Sequence, residues 1–236
     1  MRSMTERVAV FPPRGSALGW GSWARELALA AFDTLVPPRS PDLPLPRGDG
    51  SVVLVIPGFL SGDWATVRLR SFLKRLGYRS ATAGILLNPG PAPAIVARLD
   101  RALLRLAGDG AVALVGVSLG GTLARDLARR HRGKVRCVVT LCSPLRFPVT
   151  TPLEPFARAL APLHDADWVS RCHDIAEPLD VPVTAIHTVE DGVVDWRECL
   201  VEEASLARNF AVQGRHMTIA SNPQAQAAVA FALAGQ

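Results

Sequence analysis

A chain of 236 residues, 49% hydrophobic and 20% charged, can bury one substantial core, is too short for two large domains and is too apolar to stay disordered. Its net charge of +5 raises the question of an anionic partner. The arginines are scattered, however, and the densest basic group, Arg129, Arg130, Arg132, Lys134 and Arg136, falls where a helix should end and complements that helix's dipole. No recognised binding motif accompanies it, so nucleic acid is not an expected partner.

Four cysteines, Cys137, Cys142, Cys172 and Cys199, show neither metal-ligand spacing nor a C-x-x-C pair. Cys137 and Cys142 sit in an apolar run and read as small buried side chains. The order of a secretory leader is absent. Arg25 and Glu26 interrupt the best membrane-span candidate, Ala17 to Val36, so no transmembrane segment is expected. The resulting expectation is a cytoplasmic protein with reduced thiols, with a Cys142–Cys172 bridge left open.

Taken in chain order, residues Trp20 to Leu35 have helical periodicity and offer Trp20, Trp23, Leu27 and Phe32 to one face. That helix is expected to pack on the body, with an amphipathic, lipid-facing lip as the alternative. Pro37, Pro38, Pro41, Pro44 and Pro46 then form a linker, closing an N-terminal segment of residues 1–50. The main domain is expected over 51–236. Its first element, Ser51 to Ile56, is a β-branched and aliphatic run of the kind found in strands covered on both faces. A helix over Trp64 to Leu76, a short strand over Ser80 to Leu86 and a helix over Ala94 to Leu106 follow.

The stretch Ala111 to Val117 predicts a strand, Leu119 to Arg130 a helix, and Val135 to Leu141 and Val181 to Thr188 two more strands. A helix over Asp195 to Ala207, a last short strand over Asn209 to Val212 and a helix over Pro223 to Leu233 complete the pattern. Alternation of this kind implies an α/β fold with a mainly parallel, doubly wound sheet. The alternation breaks between about 143 and 178, where Pro144, Pro148, Pro152, Pro155 and Pro162 are interspersed with Phe147, Leu153, Phe156, Leu160 and Leu163. Short helices and turns are expected there, as a small cap over the carboxyl ends of the strands, where ligands bind in such sheets.

The most informative motif lies between a predicted strand and a predicted helix: Gly116-Val117-Ser118-Leu119-Gly120. A G-x-S-x-G in that context places the serine at the tip of a strained turn, with small neighbours that let strand and helix approach. The rival reading of Ser118 is a helix cap. A serine hydroxyl needs a base to become a nucleophile. Of His131, His164, His173, His187 and His216, His216 is the candidate, because Gly214 permits a sharp turn ahead of it in a loop that should leave the carboxyl edge of the sheet. The base needs an acid, and Asp191 follows a predicted strand directly, ahead of Gly192. Asp195 and Glu190 are rivals, with Asp195 also explained as an N-cap. Attack on a carbonyl creates an oxyanion that backbone N–H groups can hold. Leu119 is the expected first donor and Phe59, in Pro57-Gly58-Phe59-Leu60, the second, with Leu60 as alternative.

Taken together, Val52 to Phe59 ahead of a helix, the elbow Gly116 to Gly121, Cys142-Ser143-Pro144, Asp191-Gly192-Val193-Val194 and Gly214-Arg215-His216 make the chain resemble the α/β-hydrolase family, in particular small bacterial esterase and lipase-like members. The resemblance runs from about Val52 to the end. It implies the α/β-hydrolase fold and the order nucleophile, acid, base. It departs from the family at Pro57-Gly58, where many members carry His-Gly, so a side chain that sometimes supports the oxyanion loop is missing. The expected activity is hydrolysis of a small-molecule carboxylic ester, with lipid as one candidate, through an acyl-enzyme and without metal or organic cofactor. Leu60, Trp64, Phe147 and Phe156 are the candidate substrate-binding residues, suiting an apolar acyl or alcohol group. The alternatives are acyl transfer or thioester hydrolysis by the same residues, or a non-catalytic protein of this fold that binds a lipid or partner.

Overall fold

The aliphatic run after Ser51 forms strand β1 (Val52–Ile56), and its alternate side chains enter two separate cores. Leu54 and Ile56 face one side of the sheet, Val53 and Val55 the other, and all four are fully buried. This computed structural model describes residues 19–35 and 44–235, except for the side chains of 30–35. Expectations resting on residues 1–18 and 36–43, including Pro37, Pro38 and Pro41, and on the Phe32 side chain lie outside the described residues.

The remaining strands are β2 (Arg79–Thr82), β3 (Val112–Val117), β4 (Val135–Leu141), β5 (Val183–His187) and β6 (Ala207–Ala211). They make one six-stranded sheet in the order β2-β1-β3-β4-β5-β6, and every neighbouring pair is parallel. The reversal of strand order beside β1 is the switch point at which a doubly wound sheet opens a crevice. It lies next to β3, the strand that leads into the G-x-S-x-G turn.

Helices cover both faces. Helix α1 (Trp20–Leu35) precedes the sheet; α2 (Val67–Leu76), α3 (Pro93–Ala107) and α4 (Leu119–Arg130) are the first crossovers; α5 (Glu154–Leu160) and α6 (Trp168–Ile175) lie between β4 and β5; and α7 (Pro223–Ala234) closes the fold. Leu99 and Leu103 of α3 and Leu123 and Leu127 of α4 pack on one face. Leu69 and Leu73 of α2 and Val229 and Leu233 of α7 pack on the other. Each such buried leucine contributes about 1.5–3 kcal/mol relative to exposure. Among the described residues, no helix is long and apolar enough to cross a membrane.

Two expectations are corrected. The helix over Asp195 to Ala207 is only a 3-10 turn, Trp196–Cys199. Beyond it the backbone of Val201 is held by Asn209, whose side chain accepts from Val201 N at 3.0 Å and donates to Val201 O at 2.9 Å. A side chain on the edge strand thus replaces the helical ladder. The start of the helix over Trp64 to Leu76 is likewise 3-10, Asp63–Thr66, before α2 proper.

The basic cluster after α4 is taken up by contacts within the chain. Arg130 pairs with Asp126 and Asp100, Arg132 with Asp180, and Arg129 donates to Glu177 O. All four cysteines are buried and free, so Cys142 and Cys172 are not bridged. Burial pushes the Cys137 thiol up to about 11.

Candidate active site

Ser118 follows β3 directly and sits at φ 52°, ψ −129°, a region that only glycine enters without strain. The crossing of strand and helix that forces this turn is too close for side chains. A Cβ on Gly116 would collide with the backbone of Gly120 and Gly121, and one on Gly120 with Ile56 O. Gly58 lies over the serine, where an added Cβ would come within 3.1 Å of Ser118 Cβ. These spacings explain why the motif needs glycine on both sides of a tight strand-to-helix turn.

His216 Nε2 stands 3.0 Å from Ser118 Oγ, and His216 Nδ1 is 2.7 Å from Asp191 Oδ2. The other oxygen of Asp191 accepts from Val193 N and Val194 N, both at 2.8 Å. The carboxylate is therefore aimed by its own loop. The loop carrying His216 is fixed independently: Thr188 Oγ1 donates to Gly214 O at 3.0 Å, and Asn222 Nδ2 to Gln213 O at 2.7 Å. Gly214 itself adopts φ 141°, which lets the chain turn back towards the serine.

Burial alone would lower the pKa of His216, but the charge and hydrogen bond of Asp191, with a further contribution from Glu26, outweigh it and hold it above the ordinary histidine value. The rival acids are otherwise engaged. Asp195 Oδ1 caps the following turn by accepting from Arg197 N at 3.0 Å, and Glu190 pairs with Arg215. Of the other histidines, His131 pairs with Asp100, His187 stacks on Trp196 and His173 is exposed.

Two backbone N–H groups remain open at the serine. Among the described residues neither Phe59 N nor Leu119 N meets a protein acceptor, whereas Leu60 N is already donated to Asn88 O at 2.7 Å. Leu60, at φ 53°, turns the loop and does not line the cleft. Asn88, which no local motif marks, supports the loop: it is fully buried, donates to Pro57 O at 3.0 Å and accepts from Gly90 N at 3.1 Å.

The cleft over Ser118 is almost entirely apolar. Phe147, Val149, Leu153, Ala157 and Trp168, from the segment between β4 and β5, line it together with Val193 and Val194, with His164 and Thr151 among its polar members. Of the four candidate substrate-binding residues, Phe147 lines this space. Leu60, Trp64 and Phe156 do not: Trp64 is 67% exposed, and Phe156 makes an edge-to-face contact with Trp20 of α1. An aromatic has no direction in a sequence; for Phe156 the ring contact with Trp20 supplied it.

Among the described residues, one group of potential metal ligands falls together, Cys142, Asp191 and His216, all buried and within 4.8 Å of one another. Asp191 and His216 are already bonded to each other, and burial holds the Cys142 thiol far above its ordinary value. A thiol kept protonated is a poor metal ligand. Cys142 reads instead as packing behind the acid.

Residues 75–171 match a family model described as the alpha/beta hydrolase fold. Solved structures of similar shape include a thioesterase domain from the curacin biosynthetic pathway, with TM-score 0.57, 17% identity, and coverage of 80% of this chain and 93% of that one. A lipase-esterase related protein from Clostridium acetobutylicum aligns with TM-score 0.52 and 16% identity over 81% of this chain and 97% of that one. A monoacylglycerol lipase from Paleococcus ferrophilus gives 0.57 and 15% over 81% and 97%. No curated protein sequence matches the chain. These likenesses show the fold of the chain, the alpha/beta hydrolase fold.

Proposed function

We propose that the protein is a serine hydrolase that cleaves carboxylic esters bearing an apolar acyl or alcohol group. The observation that carries this reading is the line Ser118 Oγ, His216, Asp191, at 3.0 and 2.7 Å, opening into an apolar cleft. In the proposed reaction His216 Nε2 takes the proton of Ser118 as the oxygen attacks the ester carbonyl. Asp191 fixes the imidazole tautomer, with the proton on Nδ1, and stabilises the imidazolium that forms.

The carbonyl oxygen becomes negative and is held by the N–H groups of Leu119 and Phe59, the former at the start of α4 where the helix dipole favours negative charge. The imidazolium returns its proton to the departing alcohol, leaving Ser118 acylated. Water, deprotonated by His216, then attacks the acyl-enzyme, and the imidazolium returns that proton to Ser118 Oγ as the acid leaves. Apolar walls favour an aliphatic or aromatic group beside the ester, because the cleft offers few polar groups to replace lost hydration.

The test is hydrolysis of p-nitrophenyl esters of graded acyl length by wild type and Ser118→Ala, with acyl thioesters as a parallel series. Turnover that falls by at least about 10³-fold in the variant supports the proposal. Equal rates in both proteins would leave a non-catalytic binder of this fold, and turnover confined to the thioesters would replace the substrate class.

A further inference from the structure

Glu26 belongs to α1, ahead of the region that carries the family resemblance, yet only 2% of it is exposed. Its carboxylate receives two backbone N–H groups from distant parts of the chain. Gly192 N donates to Oε2 at 3.1 Å and Met217 N to Oε1 at 3.0 Å. Gly192 is the residue after Asp191, and Met217 the residue after His216. One carboxylate therefore bridges the loop that carries the acid and the loop that carries the base, in each case one peptide downstream of the functional side chain.

Burying a carboxylate is costly unless it is hydrogen-bonded, and glutamate is almost never fully buried without partners. Among the described residues Glu26 has no lysine or arginine partner within ion-pair distance. What offsets its desolvation is the pair of N–H bonds, strengthened by the acceptor's charge. Helix α1 also shapes the acid loop directly, since a Cβ on Gly192 would come within 2.9 Å of Ser22 O and 3.0 Å of Glu26 Oε2.

The geometry points to Glu26 as a positioning residue: its carboxylate holds the Asp191 and His216 loops at the spacing from which His216 reaches Ser118, and its charge favours the imidazolium formed during proton transfer. This rests on the reading of Ser118, His216 and Asp191 given above. The electrostatics agree in direction. Burial raises the Glu26 pKa, against which Met217 N–H and His216 pull it down, and Glu26 in turn raises that of His216. The charged groups around it are Asp191 and His216 at the site, and Arg25, Glu190 and Arg215, which line the same recess behind the acid loop.

The test compares wild type with Glu26→Gln, which keeps the size and one acceptor oxygen, and Glu26→Ala, which keeps neither. Leu27→Ala, an exposed position on the same helix, controls for general loosening of α1. Proton NMR of the imidazole follows the His216 Nδ1–H resonance and the His216 titration without any substrate, and ester kinetics give kcat and KM separately. We expect the resonance to weaken or shift in both Glu26 variants, the titration midpoint to fall in Glu26→Gln, and kcat to drop about 10- to 100-fold with KM within about twofold, while Leu27→Ala stays at wild type. A lowered melting temperature with the His216 resonance, titration and kcat of wild type would overturn the proposal. Should Glu26→Ala not fold, Glu26→Gln decides. Should wild type hydrolyse no ester and Ser118 resist a fluorophosphonate, the hydrolase reading falls, and the His216 spectra still decide the role of Glu26.

Discussion

Asn88 and Pro57 lie far apart in sequence and are joined by one bond: Asn88 Nδ2 donates to Pro57 O at 3.0 Å in a site with no solvent exposure at the asparagine. The same side chain accepts from Gly90 N, and its own backbone oxygen takes the N–H of Leu60. The loop carrying Phe59 is thereby fastened on both sides of that residue, while Phe59 N, the proposed oxyanion donor, has no acceptor among the described residues. Replacing Asn88 by Ala should lower kcat of ester hydrolysis about 10- to 100-fold with KM little changed, somewhat less than outright loss of an oxyanion donor, which costs about 10²–10³. Asn88→Asp should not rescue it, because an ionised carboxylate cannot donate to Pro57 O. Steady-state kinetics on both variants check this.

The pH profile of kcat/KM should report His216. The base works only when neutral, and its pKa is held above the ordinary value by Asp191 and Glu26 against burial. Activity should therefore rise with pH through a midpoint above about 6.5, the usual histidine value. Asp191→Asn removes the charge that raises it and replaces one of the two acceptor oxygens by a donor, so the midpoint should move to lower pH while kcat falls by about 10⁴. A wild-type midpoint at or below the usual value contradicts the arrangement.

Arg125 ties the end of α6 to the helix that follows Ser118. It is 1% exposed, and it donates Nε to Ile175 O at 2.6 Å and Nη2 to Glu177 O at 2.6 Å, capping the carboxyl end of α6. Burial, and to a smaller extent Arg129, lowers its pKa to about 10, so it remains charged at neutral pH. Arg125→Leu should destabilise the fold by about 3 kcal/mol, since carbonyls at a buried helix end lose their donors. That is a fall in melting temperature of roughly 6–12 °C for a domain of this size, readable by thermal denaturation.

Glu198 gives the protein a pH-dependent tether on the cap side. Both its oxygens accept from Thr150 N at 2.9 Å, and burial raises its pKa from 4.5 to about 6 against those bonds. In the unfolded chain it loses its proton near 4.5, in the folded chain only near 6, so the folded state holds the extra proton between the two. Stability from this group is present below about 4.5 and is lost as pH rises to about 6. Glu198→Gln keeps the neutral form at all pH. The melting temperature of the variant relative to wild type should therefore climb across that window and level off above it; a constant difference would show that the carboxyl does not titrate there.

Much of the architecture follows from local physics. The run Val52–Ile56 can only be a strand buried on both faces, and Gly116 and Gly120 bracket a turn that other residues cannot make, so the sheet, the elbow and Ser118 are legible in the chain itself. The order Ser118, Asp191, His216 is the nucleophile, acid, base order that the resemblance implies, and the folded chain brings the three side chains within hydrogen-bond distance.

What local pattern could not supply was the choice among neighbours and the supports behind them. Asp191 and Asp195 are told apart by the partners their oxygens meet, His216 for the one and Arg197 N for the other, and Phe59 and Leu60 by which N–H the Asn88 carbonyl has already taken. The stretch after Asp195 has helical spacing, yet its backbone is claimed by Asn209 on an edge strand. Glu26, which as a sequence feature merely interrupts an apolar run, becomes significant because two loops more than a hundred residues away close on its carboxylate. Periodicity and turn chemistry act over a few residues, whereas hydrogen-bond satisfaction in a buried site depends on groups that only the folded chain brings within reach.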